Sequence, residues 1–149
     1  EGVLSGAADG YARMARKPAS TLLHLGPGLG NALANTHNAK KGHVPVINIV
    51  GDHATYHVKF DAPLTADIEG IARPVSHWVH TSTAAADIAR DAAEAVRQAG
   101  TTRVATLILP ADEVHQIFAE EDSEFVSAMP IGGTIKLPDG TVMDLPWRK

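Results

Sequence analysis

The sequence contains no cysteine, which removes disulfide scaffolds, thiolate zinc sites and cysteine nucleophiles at once. Aromatic residues are scarce at 5%, and 44% hydrophobic against 20% charged is the composition of an ordinary globular domain. No apolar run approaches the ~20 residues needed to span a bilayer. The opening Glu1-Gly2-Val3-Leu4-Ser5-Gly6 lacks the basic-then-apolar order of a secretory signal. Positive charge is not in excess either. Its 13 basic residues against 17 acidic give a net charge of −4, the wrong sign for neutralising nucleic-acid phosphates. These absences point to a cytoplasmic protein with neither a membrane nor a nucleic-acid partner. No methionine stands at position 1, so the 149 residues read as a processed or internal piece of a longer chain.

What is present alternates between helix and strand patterns. Glu1 to Arg16 favours a helix, with Val3, Ala7, Tyr11 and Met14 roughly on one face. It carries Gly2, Gly6 and Gly10 at i, i+4, i+8, and each glycine costs about 1 kcal/mol relative to alanine. Close approach of another backbone or a ligand along that stripe is the simplest compensation. Pro18 stops the helix by disfavouring helical geometry at Lys17. Thr21 to Leu25 reads as a short buried strand, Gly26-Pro27-Gly28-Leu29-Gly30 as a turn, and Asn31 to Lys41 as a helix. Strands follow at Val44 to Val50, Val75 to His80 and Val104 to Leu109, with a short helical segment around Asp67 to Ala72. Ala84 to Gln98 has the clearest helical period: Ile88, Ala92, Ala95, Val96 and Ala99 share a face, Arg90 pairs with Glu94, and Gly100 is the C-cap. Apolar strands separated by helices predict an α/β fold, a parallel sheet with helices on both faces. After Asp112 the character changes. Glu120-Glu121-Asp122 and Glu124 are acidic, and Leu137-Pro138-Asp139-Gly140-Thr141-Val142 reads as a hairpin turn between two short strands. The expected division is residues 1–112 as one domain and 113–149 as an acidic, hairpin-like tail.

Three features carry chemistry. Gly26 to Asn31 places backbone N–H groups at a helix start, where partial positive charge favours an anion or polar ligand. Asp52 follows the next strand at the place of a dinucleotide fold's ribose-binding acid, although Asn31 replaces the third glycine of that fingerprint. A tight strand-to-helix connection with no ligand explains the same residues. His53 and His57 are spaced i, i+4 but lack helical context and a carboxylate partner, so no metal site is assigned. His24 lies on an apolar strand, where most histidines are interior residues. Its place at the strand's carboxyl end, where α/β folds bind ligands, raises its interest. No G-x-S-x-G elbow surrounds Ser5, Ser20 or Ser76.

Read together, these segments resemble the pyrimidine-binding domain of thiamine-diphosphate-dependent enzymes, most of all acetolactate synthase large subunits and benzoylformate decarboxylase-like proteins. The resemblance rests on Glu1, Gly6-Ala7-Ala8-Asp9-Gly10-Tyr11-Ala12-Arg13, Leu23-His24-Leu25-Gly26-Pro27-Gly28 with Asn31-Ala32, Pro45 to Asp52, Val75 to Val79, and Ala105 to Asp112. It implies that Glu1 hydrogen-bonds N1′ of the cofactor's aminopyrimidine and favours the imino tautomer, which then serves as general base. It implies proton transfer or substrate orientation by His24, and a pyrimidine pocket lined by Gly26, Gly28 and Asn31. The substrate would be a 2-oxo acid such as pyruvate or an aromatic 2-oxo acid, decarboxylated or ligated with the cofactor as electron sink. The cofactor of this family lies between two subunits of a homo-oligomer, so the resemblance gives Gly2, Gly6 and Gly10 a second subunit to pack against.

The chain departs from the family in two ways. It begins at the glutamate itself, and it lacks the Gly-Asp-Gly motif and paired asparagines through which the family's diphosphate domain holds Mg²⁺. The expectation is a thiamine-diphosphate-binding fragment inactive alone, with Mg²⁺ held elsewhere and FAD use undecided. Two other readings remain at this point: a non-catalytic α/β dimerisation module and a dinucleotide-binding domain.

Overall fold

The computed structural model describes residues 1–121, 134–136 and 142–144. The chain divides into two compact units, Glu1–Val114 and His115–Lys149. In order, the elements are α1 (Gly2–Ala15), β1 (Ala19–His24), α2 (Leu25–Lys41), β2 (Val46–Asp52), α3 (Ile68–Ala72), β3 (Trp78–Thr81), α4 (Ile88–Ala99), β4 (Val104–Pro110) and α5 (Ala111–Glu121). Single 3₁₀ turns lie at Val58–Phe60 and Ala85–Asp87. The strands form one parallel sheet in the order β1-β2-β4-β3. Near the end of the chain β5 (Thr134–Lys136) pairs antiparallel with β6 (Val142–Asp144). These strands flank the segment read as a hairpin turn, and that turn lies outside the described residues.

Strand alternation sends Val46 and Val50, Val104 and Ile108, and Leu23 to one face, where they pack with residues of α1, α2 and α3. Ile47, Ala105 and Leu107 point the other way, onto Ala95 and Ala99 of α4. Helices therefore cover both faces, as the apolar runs require. β1 is the exception. Its burial alternates along the strand, leaving Ser20, Leu22 and His24 outward, with Leu22 70% exposed. The expectation of a short buried first strand is corrected: β1 is one edge of the sheet, and α4 packs with β2, β3 and β4.

A polar row crosses the buried face, with Thr21, Asn48 and Thr106 at one register and Ser76, just before β3, completing it. Thr21 donates to Asn48 Oδ1 (2.8 Å), Asn48 Nδ2 donates to Thr106 Oγ1 (3.4 Å), and the Thr106 and Ser76 hydroxyls share a bond of 2.7 Å. All four side chains are buried, so each needs these partners.

Three sequence expectations need revision in the helices. α2 begins at Leu25, not Asn31, taking the whole glycine-rich turn into its first turns. Pro27 fits because the first four N–H groups of a helix have no intrahelical acceptor. Leu25 itself takes a left-handed φ of 57°. In α4 the buried stripe is Asp91, Ala95 and Ala99, while Val96 is 54% exposed. A charged residue belongs to that stripe because it is fully engaged. Asp91 accepts from Ser82 (2.6 Å), His80 (3.1 Å) and Arg90 (3.2 Å). Burial pushes its carboxyl up, but these donors outweigh it and hold the pKa below the usual value. Arg90 is drawn to Asp87 and Asp91, so the expected pair with Glu94 does not form, and Glu94 bonds Arg97 and Gln98 instead.

Candidate active site

The carboxyl ends of the parallel strands carry His24 on β1, Asp52 on β2 and Pro110 on β4, followed by Asp112 at the start of α5. Glu1 is the N-cap of α1 but makes no capping bond with its side chain, which is exposed. Its carboxylate lies instead against the start of α2. Oε2 accepts from Asn31 Nδ2 at 3.3 Å. A β-carbon at Gly28 would stand 3.1 Å from Glu1 Oε1 and 3.4 Å from the Leu23 carbonyl carbon. The missing side chain therefore lets the Glu1 carboxylate pack close against Gly28 and the strand-end backbone. This is the close approach for which only glycine serves.

The structure thus brings together three of the residues singled out in the sequence: Glu1, Gly28 and Asn31. His24 stands beside them in the chain, at the end of β1 and in register with Gly51. Its side chain is exposed and makes no hydrogen bond among the described residues. Gly26 has a different task. A β-carbon there would come within 2.4 Å of Ala66 Cβ, so its bareness admits the segment before α3. Asp52 accepts the His53 N–H at 2.7 Å. His53 and His57 pack edge to face with centroids 5.5 Å apart. Among the described residues no group of three or more His, Asp or Glu is placed to hold a metal ion.

The glycine stripe is also reassigned. Gly2 faces the Asn31 carbonyl, where a β-carbon would stand at 3.6 Å, and Gly6 faces Asn35 Nδ2, at 3.3 Å. Both serve the packing of α1 on α2 within one chain. The second-subunit reading had given them an external partner because the sequence shows spacing but not what the stripe faces. Gly10 has nothing within 4 Å.

Sequence reasoning missed two supports. Ser5, buried in α1, donates to the Glu1 carbonyl (2.9 Å) and the Gly2 carbonyl (3.0 Å). Asp112 accepts the Thr55 N–H at 3.0 Å and also its hydroxyl, tying the segment after β2 to the start of α5. Burial pushes the Asp112 carboxyl up, yet the Thr55 bonds prevail and hold it below the ordinary range. A buried serine in a helix was the only signal for the first; the second had none at short range.

Comparison with known proteins adds the following. A family model described as the thiamine pyrophosphate enzyme, N-terminal TPP binding domain, matches residues 1–86. IlvX of Mycobacterium tuberculosis, a protein named after the acetolactate synthase large subunit, is 59% identical over 113 residues, covering 75% of this chain and 22% of IlvX. Benzoylformate decarboxylase of Pseudomonas aeruginosa is 30% identical over 100 residues, 66% of this chain and 19% of the enzyme. The solved structure of a thiamine diphosphate-dependent 4-hydroxybenzoylformate decarboxylase from Rhodococcus jostii RHA1 superposes with a TM-score of 0.68 at 25% identity, over 74% of this chain and 21% of that one. The chain spans about a fifth of the length of these relatives.

Proposed function

Since the chain belongs to the family of thiamine pyrophosphate enzyme N-terminal, TPP-binding domains, we propose that it forms the aminopyrimidine-binding part of an acetolactate synthase-like carboligase or a 2-oxo-acid decarboxylase. The observation that carries this reading is the Glu1 carboxylate over Gly28, held by Asn31. The bare Gly28 lets the Glu1 carboxylate lie directly against the start of α2, and from there the carboxylate accepts a ring N–H of a flat heterocycle brought alongside. When bound, thiamine diphosphate supplies an electron sink for bond cleavage or formation next to the carbonyl of a 2-oxo acid. Glu1 holds the proton at the ring nitrogen and thereby governs the basicity of the amino group across the ring. Asn31 touches the carboxylate through one long hydrogen bond of 3.3 Å. His24, exposed at the strand end and without a hydrogen-bond partner among the described residues, orients the substrate or moves a proton at its carbonyl.

In this reading Mg²⁺ and the diphosphate are held by residues outside this sequence, the substrate is pyruvate or an aromatic 2-oxo acid, and the work is done in the cytoplasm. No helix among the described residues is long and apolar enough to cross a membrane. A second subunit packs on the outer side of α1, where Val3 is 90% and Met14 87% exposed. The 149 residues alone bind the cofactor weakly and do not turn over.

The test is Glu1→Gln in the complete gene product, assayed with pyruvate and benzoylformate. General acid–base catalysis contributes about 10²–10⁴-fold, and a fall of that order in kcat is expected. Retention of half the activity would overturn the reading. Calorimetry of the 149-residue chain with thiamine diphosphate and Mg²⁺ checks the remaining point, and micromolar affinity there would contradict it.

A further inference from the structure

We infer that Asn35 is a positioning residue for the Glu1 carboxylate, acting through Ser5 and the first turn of α1; the inference rests on the reading of Glu1 given above. Among the described residues the carboxylate has one side-chain hydrogen bond, the 3.3 Å contact from Asn31, and no capping bond to its own helix. Such a long contact restrains a side chain weakly. What places Glu1 is the backbone beneath it, and that backbone is held from α2.

Asn35 lies one helical turn beyond Asn31 on α2, so the two amides project side by side. The Asn35 amide donates to the Gly2 carbonyl at 2.7 Å and to Ser5 Oγ at 3.2 Å. The same hydroxyl donates to the carbonyls of Glu1 and Gly2. A three-point lacing results: α2 grips Gly2 directly and Glu1 through Ser5, and the grip is half-buried. Gly6 is its counterpart on α1, because a β-carbon there would press on the Asn35 amide at 3.3 Å. Asn31 and Asn35 therefore divide the labour, one touching the carboxylate and the other fixing where its main chain begins.

The consequence is specific to geometry. A displacement of about 1 Å at a catalytic group costs on the order of 10²-fold in rate. The experiment uses the complete gene product with Asn35→Ala and Asn35→Asp. Aspartate is nearly isosteric, but its carboxylate has no N–H for the Gly2 carbonyl. Four quantities are read: kcat against KM, the affinity for thiamine diphosphate by calorimetry, the urea midpoint, and the near-ultraviolet dichroism of the bound aminopyrimidine as a function of pH, which follows its tautomer. Expected for both variants are a kcat lowered about tenfold to a hundredfold, a displaced pH midpoint of the dichroic band, and a urea midpoint close to the parent's for Asn35→Ala. Unchanged kcat and dichroism in Asn35→Ala would overturn the inference, as would a loss of kcat accompanied by an unmoved dichroic midpoint. Glu1→Gln is run in parallel. If that variant is fully active, the reading of the site itself fails; if it is inactive while both Asn35 variants match the parent, only the positioning role fails.

Discussion

Replacing Asn48 by alanine should be among the most damaging single changes in this domain. Asn48 is fully buried in the centre of β2 and belongs to two hydrogen bonds, accepting from Thr21 and donating to Thr106. Its removal leaves the buried Thr21 hydroxyl without an acceptor, at a cost of about 1–3 kcal/mol. Thr106 loses a donor but keeps Ser76, so its share is smaller. A vacated amide in a close-packed core adds a cavity penalty, and we expect a total of about 3–4 kcal/mol. In a domain of this size that lowers the thermal midpoint by roughly 10 °C. Urea unfolding followed by Trp78 fluorescence measures it. The complementary variant removes the whole row: Thr21→Val, Asn48→Leu, Ser76→Ala and Thr106→Val together. No buried polar atom of the row is then left alone, and stability should return to within about 1–2 kcal/mol of the parent. If Asn48→Ala costs less than about 1 kcal/mol, the assignment of the row as a satisfied, interdependent unit is wrong.

Three further outcomes follow from the same geometry. Gly10→Ala meets nothing within 4 Å and should raise stability by about 0.5–1 kcal/mol, whereas Gly26→Ala meets Ala66 Cβ at 2.4 Å and should lower it by about 1–3 kcal/mol; a denaturant series on both separates an idle glycine from a required one. His77 Nδ1 accepts the Val104 N–H, and partial burial together with Lys40, Arg103 and His43 holds its pKa below the usual value. The unfolded chain therefore takes up this proton first. Stability is complete above about pH 6.5 and declines as pH falls from there toward the folded value. His77→Gln, which keeps an acceptor, should flatten thermal midpoints between pH 7.5 and 5 (both approximate, on the same titration argument), and an unaltered slope would contradict the assignment. The depressed carboxyl of Asp91 acts at lower pH: its contribution is present above about pH 4 and lost as pH falls through the folded pKa. Asp91→Asn should accordingly reduce the acid sensitivity of unfolding while destabilising the protein at neutral pH.

Much of the sheet was legible because its signals are local. Val46 to Val50 and Val104 to Leu109 are too apolar for anything but buried strands, and Gly100 marks the end of α4 with a φ of 49°. The start of α2 is not legible locally, because glycine and proline are ordinarily breakers and only a strand feeding directly into a helix makes them first-turn residues. The half-exposed state of β1 and the charged member of α4's buried stripe depend on which neighbours exist, which local periodicity cannot reveal. In the site, Glu1, Gly28 and Asn31 were chosen by motif and are brought together by the fold. Gly26 belongs to the same motif and faces elsewhere, since helix positions two residues apart point in different directions. Asn35 escaped notice because its partners are thirty or more positions away in the chain.

Leu25 links these observations. A branched residue at a φ of 57° is held against its own preference, at a cost of about 1–2 kcal/mol. Its side chain is only 5% exposed, and burial of a leucine contributes about 1.5–3 kcal/mol in return. The corner between β1 and α2 is thus pinned by two opposing demands: relaxing the main chain would uncover the leucine, and trimming the leucine would free the main chain. The turn of α2 against which the Glu1 carboxylate lies starts from that corner, so a change at Leu25 would reach the site through the main chain.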